Sequence, residues 1–436
     1  MAKKQKKTPV AKKESRGRKP AAAPAYDQLL AQKSIVRSEL LYPAGLFCFA
    51  LLFRTIYFFV NKDNNPLFYH PILDALFHHD WAKDILAGNF WGDEVFFRAP
   101  LYPYLLAFVY KLSGTSIAFA TYLQHITGSL SVVLVYILSR QYFSVRVSVL
   151  AGILAALYWP LIYFEGDLLI VTLVVFLDLL ALLFLSAAIQ RQSPRLLLMS
   201  GVILGLSAVA RPSILILIPV LPIVFHYTRP PSSGKPAQGR GIWIRQTVLV
   251  VTGALAVILP VVARNFIVGR DIVPIASQGG VNFYIGNNPQ ANGSLAMVPG
   301  ARADMHGTYR GAIELAEADV GRKLKPSQVS NYYTDKALEF ITGSPVEAGR
   351  LLAKKFYIFW AAQERSNNKF IQFFWNRFGL GMIPLAGFWL IGPLGLLGGA
   401  LLWPRKRHLS LLYLFVLTYM AGVVLFFVNG RFRLPV

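Results

Sequence analysis

Between Tyr69 and Gly114 the chain concentrates side chains able to do acid–base and phosphate chemistry: Asp74, Asp80, Asp84, Asp93, Glu94, His70, His78, His79 and Arg98. A carboxylate placed beside a hydroxyl acts as a general base. A guanidinium holds a phosphate through charge-assisted hydrogen bonds, and an Asp–His pair on one helical face is the beginning of a metal site. Asp74 opens a helix expected to run to Leu86. His78, four residues on, shares its face; Asp84 is near that face, and Asp80 is less so. Asp74 reads either as a base or substrate-orienting carboxylate or as a cap of that helix. Asp80 and Asp84 read as solvated charges and His79 as interfacial. No third ligand follows the Asp74–His78 pair at a metal-binding spacing, so no metal ligands are assigned. A divalent cation is the one cofactor that the acids leave open.

The rest of the chain is mostly hydrocarbon. With 55% hydrophobic and 15% charged residues and a mean hydropathy of +0.48, it reads as an all-α polytopic membrane protein. The net charge of +23 invites a nucleic-acid reading, but much of it lies in residues 1–38, which open with MAKKQKKTPVAKKESRGRKP. That stretch reads as a disordered basic tail, held cytoplasmic and attracted to lipid headgroups, with no nucleic-acid partner. No cleavage pattern follows the first apolar run. Cys48, the single cysteine, lies inside that run and is expected to be packed and buried.

Windows of roughly 20 apolar residues place spans at about Leu40–Val60, Ser116–Leu138, Val147–Tyr163, Leu168–Ile189, Leu196–Ala210, Ile214–Tyr227, Thr247–Ala263, Gly379–Trp403 and Leu409–Val428. Phe96–Leu112 is ambiguous, being short and carrying Pro100 and Pro103. If it does not cross, Arg140 and Arg146, Arg191 and Arg195, Arg229 to Arg245, and Arg405 to Arg407 all fall on the cytoplasmic side; if it crosses, every cluster flips outside. The positive-inside rule selects the first arrangement. It has about nine spans, an interfacial helix at Pro100–Leu112 and a long outer loop. The domains are then the tail 1–38, a transmembrane catalytic module 39–263 with its first outer loop at 61–115, an extracytoplasmic region 264–378 with helices at Ser327–Thr342 and Pro345–Trp360, and C-terminal helices 379–436. The chain stops at GRFRLPV, just past the last span, which suggests that related chains continue into further helices.

On this topology a second polar set gathers outside. Glu165 and Asp167 share a short loop between spans, where a charge is costly unless paired or wet. Arg211 and Arg264 either bind phosphate or end their spans, and Arg431 and Arg433 read the same way. Asp93 and Glu94 offer a second acidic position for a substrate or a divalent cation, or form a turn. Arg98 binds phosphate or snorkels to headgroups. Asn282, Tyr284 and Asn287 offer amides and a ring suited to a sugar, or a structured turn. Glu364, with Asn367 and Asn368, is a candidate for the same cleft.

Taken in order, LDALFHHDWAKDILAGNFWGDEVFFRAPLYPYLLAFVYKLSG, LYWPLIYFEGDLL, LSAVARPS, ARNF, GGVNFYIGNN and GRFRLPV resemble the membrane-embedded C-type glycosyltransferases. The resemblance runs from Leu40 onward and is to the dolichyl-phosphate-mannose–protein mannosyltransferase and aminoarabinose-transferase group. It implies a sugar moved from a polyprenyl-phosphate carrier to a protein, lipid or glycan acceptor, usually with inversion, at the outer face of the cell inner membrane. By position Asp74 matches the family's first-loop acid. Arg98 matches the basic residue expected at the carrier phosphate, and Glu165 stands where the family's second acid is usually Asp. Asp74 and Glu165 are therefore the expected catalytic pair, meeting a guanidinium around one phosphoester. The alternative from another class is a transporter or flippase of a lipid-linked glycan, although no internal repeat is evident.

Overall fold

The computed structural model describes residues 40–436 apart from 229–240, 295–296, 303–306, 367, 382 and 384. The basic tail, Arg229, Lys235, Arg240 and Asn367 lie outside the described residues. Of the unit Met1–Tyr42 only the last three residues are described, whereas Pro43–Val436 is one compact unit.

The described residues form helices joined by short turns, without a named strand. In chain order they are α1 (Leu41–Asn64), α2 (Leu73–Leu86), α3 (Leu101–Ser113), α4 (Ile117–Arg140), α5 (Val145–Ala156), α6 (Trp159–Glu165), α7 (Val171–Arg191), α8 (Pro194–Ala210), a 3-10 stretch (Pro212–Val220), α9 (Leu221–Tyr227) and α10 (Gly241–Gly269). Then come α11 (Gly279–Gly286), α12 (Ala312–Val320), α13 (Pro326–Gly343), α14 (Pro345–Trp360), α15 (Ile371–Phe378), α16 (Phe388–Leu401), α17 (Ser410–Leu425) and α18 (Gly430–Arg433). Helix ends follow local chemistry. Ser116 and Ser193 accept backbone N–H groups of α4 and α8 on their side chains, and Gly114 closes α3 at φ +67°.

Four helices, α1, α4, α7 and α10, are long and apolar enough to cross a membrane; the other five expected spans fall on apolar helices of 10–17 residues. Among the described residues the protein thus carries four candidate spans beside shorter apolar helices, the pattern of a multi-pass membrane protein. Two expected spans are interrupted. Val147–Tyr163 breaks between α5 and α6, where Tyr158 bridges Ala386 and the Trp159 amide donates to the Ala386 carbonyl at 3.0 Å. Ile214–Tyr227 is 3-10 in its first half, with Pro212 and Pro219 removing amide donors. The ambiguous proline-bearing segment is α3, 13 residues long, about 20 Å at helical rise and short of a bilayer core. Cys48 is exposed on α1, contrary to the expected burial.

The main core is built where α7, α8, α9, α10 and α17 pack through Leu185, Leu204, Ala208, Leu221, Val250 and Leu411. Small residues let α8 and α10 touch backbone to backbone. A Cβ on Gly201 would lie 2.1 Å from the Val250 carbonyl oxygen, and one on Gly253 2.3 Å from that of Leu198. A second, aromatic core of Tyr57, Tyr102, Tyr110, Trp159, Ile162 and Trp375 joins α1, α2, α3, α6 and α15. It carries the polar residues of the site on its margin.

Candidate active site

Asp74 lies in the first turn of α2, directly after Leu73, whose φ of +52° is unfavourable for a branched residue. Two ion pairs hold the carboxylate in place. Arg98 Nη1 lies 2.5 Å from Asp74 Oδ1, and Arg431 Nη2 lies 2.5 Å from Oδ2. Arg98 is placed by the turn before α3 and stacks over the Phe77 ring at 4.8 Å. Arg431 is placed by α18, which is capped by the Asn429 side chain, and stacks over Phe432 at 5.0 Å. Arg211, at the end of α8, approaches the same Phe432 ring at 4.6 Å. One carboxylate thus takes two guanidiniums, with a third on the neighbouring Phe432 ring. Arg98 Nε and Arg211 Nη1 are buried N–H groups without an acceptor among the described residues, an arrangement that costs free energy unless an anion supplies one.

Burial alone would raise the Asp74 carboxyl, but Arg98 and Arg431 overcome it and hold the group well below the ordinary carboxylate range. His78, one turn further along α2, is buried with Nδ1 3.0 Å from the Leu168 carbonyl oxygen. Burial first, then Arg98, lowers its pKa from 6.5 to about 4. His78 is therefore neutral at pH 7 and fixes the α2 face to the turn after α6 rather than joining Asp74 in a metal site. Its folded-state pKa lies below its unfolded value, so the unfolded chain takes up the proton first, and stability falls as pH drops from about 6.5 towards 4. Between pH 7 and pH 5 this one group is expected to remove about 2 kcal/mol. Thermal melts in detergent at both pH values check it: the drop shrinks in His78→Gln, whereas an undiminished drop contradicts the assignment.

Glu165 belongs to a different cluster. Its carboxylate is held by Arg54 of α1, Nε to Oε2 at 2.8 Å and Nη2 to Oε1 at 3.0 Å, and by His125 Nδ1 at 3.0 Å. Arg54 and His125 are fully buried and Glu165 is 2% exposed. Helix α4 comes this close only because residue 128 is glycine; a Cβ there would lie 2.0 Å from Glu165 Oε1. The expectation that Asp74 and Glu165 meet one guanidinium is therefore corrected: each has its own. A Cβ on Gly166 would lie 2.8 Å from the Tyr57 ring, and Asp167, two residues after Glu165, pairs with Lys369 at 2.6 Å. Glu165 lines a cavity with Gly128, Ser131 and Thr172; Asp167 lines another with Arg431 and Lys369.

Arg264 is not turned towards Asp74. Its guanidinium donates to the Trp91 and Glu94 carbonyls and to Asn265 Oδ1, and stacks on Phe96 at 3.8 Å. Asn265 in turn accepts from the Phe96 amide and donates to the Val273 and Ile275 carbonyls. This pair fixes the loop that delivers Arg98. Asp93 is exposed and accepts from Asn89; Glu94 is exposed and accepts from the Tyr309 hydroxyl. Asp80 and Asp84 are exposed, and His79 Nδ1 lies 2.7 Å from the Tyr110 hydroxyl.

The NFYIGNN residues lie on and just after α11. Asn287 donates to the Phe283 and Leu425 carbonyls and accepts from the buried Lys355, Tyr284 packs against Tyr333, and Asn282 is half-buried on α11. Glu364 pairs with Arg433 at 2.9 Å; burial raises its carboxyl despite Arg433. Arg433 also donates to the Phe359 and Ala361 carbonyls, so these two anchor α18 and thereby Arg431.

Three residues escaped the sequence reading. Arg54 and Asp178 are charges inside apolar helices, and that cost was the available signal. Asp178 accepts from Ser207, one turn before Arg211. Lys369 carried no signal. Among the described residues no group of three or more His, Cys, Asp or Glu is arranged to hold a metal ion. With Asp74 and Glu165 each engaged by guanidinium, they do not form a cation site together.

Residues 98–263 match the family model described as dolichyl-phosphate-mannose-protein mannosyltransferase. The match contains Arg98, Glu165 and Arg211; Asp74 and Arg431 lie outside it. No curated protein and no solved structure matches the chain. Over residues 98–263 the chain is thus similar to that mannosyltransferase family, and its long apolar helices are in keeping with a membrane-embedded member.

Proposed function

We propose that the chain moves a sugar from a polyprenyl-phosphate carrier to an acceptor hydroxyl at the outer face of the cytoplasmic membrane, with its N-terminus cytoplasmic. The observation that carries this reading is the guanidinium cluster at Asp74: Arg98 and Arg431 are paired to it, and Arg211 approaches the same Phe432 ring as Arg431. Two guanidiniums face one carboxylate, and the buried Arg98 Nε and Arg211 Nη1 groups have no acceptor among the described residues, a setting that favours a phosphate anion. The basic clusters at Arg191 and Arg195 and at Arg405 to Arg407 support the orientation.

In this reading the carrier phosphate takes guanidinium contacts that Asp74 holds in its absence. Released from them, the Asp74 carboxylate becomes more basic and accepts the proton of the acceptor hydroxyl. The acceptor oxygen bonds to the anomeric carbon as the bond from that carbon to the phosphate oxygen breaks, and the electron pair leaves on the phosphate. Arg98, Arg431 and Arg211 stabilise the charge that accumulates there. Glu165 in this scheme has no substrate contact.

The test is binding of polyprenyl phosphate and of the uncharged polyprenol to the protein in nanodiscs. The wild-type protein should bind the phosphate with clear preference, and Arg98→Gln, Arg211→Gln and Arg431→Gln should each weaken it by about tenfold or more. Equal binding of phosphate and alcohol, or solute flux in proteoliposomes without transfer, defeats the transferase reading.

A further inference from the structure

Asp178 lies in the middle of α7, 1% exposed, among the side chains of the main core. Its Oδ1 accepts from the Ser207 hydroxyl, while Oδ2 has no donor among the described residues. The proposed mechanism makes no use of it. A neutral amide would take the Ser207 hydrogen bond equally well, so what a carboxylate adds inside an apolar bundle is its charge, at a cost that calls for a partner.

We infer that Asp178 is the internal counter-charge of Arg211 and loosens the grip of Arg211 on the carrier phosphate, most of all on the phosphate set free by transfer. The inference rests on the proposed carrier-phosphate site and concerns how tightly that site holds its ligand.

Ser207 ties the two charges together. Its hydroxyl donates to Asp178, and its carbonyl accepts the Arg211 amide at 2.6 Å where α8 ends. Against the cost of burial, Arg211 and the Ser207 hydroxyl both favour the ionised form of Asp178. From α17 the Tyr419 hydroxyl meets Arg211 and Ser213. Arg211 therefore reaches from an acid inside the bundle to the Phe432 ring that Arg431 shares. Asp178 does not occupy Arg211 Nη1, which keeps its N–H for an incoming acceptor.

The charges of the two carrier forms give this arrangement its use. The sugar-loaded carrier is a phosphodiester and a monoanion; the carrier left after transfer is a monoester that approaches a dianion at neutral pH. An anion fixed behind Arg211 offsets part of the attraction that the site offers, and the offset grows with the charge of the ligand. Asp178 thereby weakens the hold on the product more than the hold on the donor, and release is eased.

The experiment compares affinities in nanodiscs at pH 8, where the monoester is a dianion, for polyprenyl phosphate, for its monoanionic methyl diester and for polyprenol. Asp178→Asn keeps an acceptor for Ser207 and removes the charge. It should bind polyprenyl phosphate about three- to tenfold more tightly than the wild type, the methyl diester more tightly by a smaller factor, and polyprenol equally. Asp178→Glu should return the ratio of monoester to diester affinity towards that of the wild type. On an Arg211→Gln background the gain should shrink, since no cation remains for Asp178 to offset. Thermal melts report folding. If Asp178→Asn melts early, the double variant Asp178→Leu/Ser207→Ala removes both partners of the hydrogen bond together and should show the same tightening. Unchanged or weaker monoester binding in the folded neutral variant, an equal gain for monoester and diester, or a gain undiminished without Arg211 overturns the role of Asp178. If the wild type binds polyprenyl phosphate no better than polyprenol, the carrier reading itself fails and the inference falls with it.

Discussion

Asp74→Asn is expected to abolish sugar transfer without abolishing carrier binding. The substitution keeps the side-chain shape but removes the charge that pairs with Arg98 and Arg431. Two consequences then separate. A carbonyl oxygen of an amide cannot accept the acceptor's proton, so transfer should fall by about 10²- to 10⁴-fold, the usual worth of a positioned general base. The guanidiniums, no longer engaged by an anionic neighbour, should bind polyprenyl phosphate at least as tightly as in the wild type, because the phosphate no longer competes with the carboxylate. Transfer assayed from a labelled lipid-linked sugar, alongside carrier binding on the same preparation, reads both. Transfer close to wild type removes Asp74 as the base. Loss of carrier binding together with transfer instead makes Asp74 an organiser of the two arginines.

The contrast between Asp74 and Glu165 shows what the sequence made legible and what it hid. Apolar run lengths located the helices, because burial in lipid or core follows composition directly. The segment that holds Pro100 and Pro103 stayed ambiguous by length, and the flanking basic clusters decided its reading as interfacial. Pairing was hidden. In Glu165-Gly166-Asp167 two acids stand two residues apart around a glycine, and nothing local says which turns into the bundle. That is decided by Arg54, 111 residues away in sequence, whose cost inside an apolar helix was itself the clue. The same holds for the arginines. Arg98, Arg211, Arg264 and Arg431 look alike as residues at span boundaries, yet Arg264 donates to the Trp91 and Glu94 carbonyls and Arg431 to Asp74. Their difference resides in which backbone carbonyls happen to lie within reach after folding.

Breaking the Arg54–Glu165 pair should cost folding rather than chemistry. Both side chains are removed from solvent, and Glu165 takes a bidentate grip from Arg54 with His125 on one of the same oxygens. Removing one member of such a pair strands a buried charge and typically costs about 3–5 kcal/mol, whereas removing both charges often restores stability. Arg54→Met and Glu165→Gln are therefore each expected to melt well below the wild type in detergent or to accumulate poorly. The double variant Arg54→Met/Glu165→Gln should recover most of the loss and transfer sugar again, because its Asp74, Arg98 and Arg431 are untouched. Recovery is expected to be incomplete, since His125 Nδ1 exchanges a carboxylate for an amide oxygen, and its ring remains wedged against Tyr57 and Phe58. The decisive outcome is activity in the stable double variant. A protein that folds, binds polyprenyl phosphate and still transfers nothing would return Glu165 to the chemistry, because its carboxylate would then be needed for something other than holding α1 against α4 and α6.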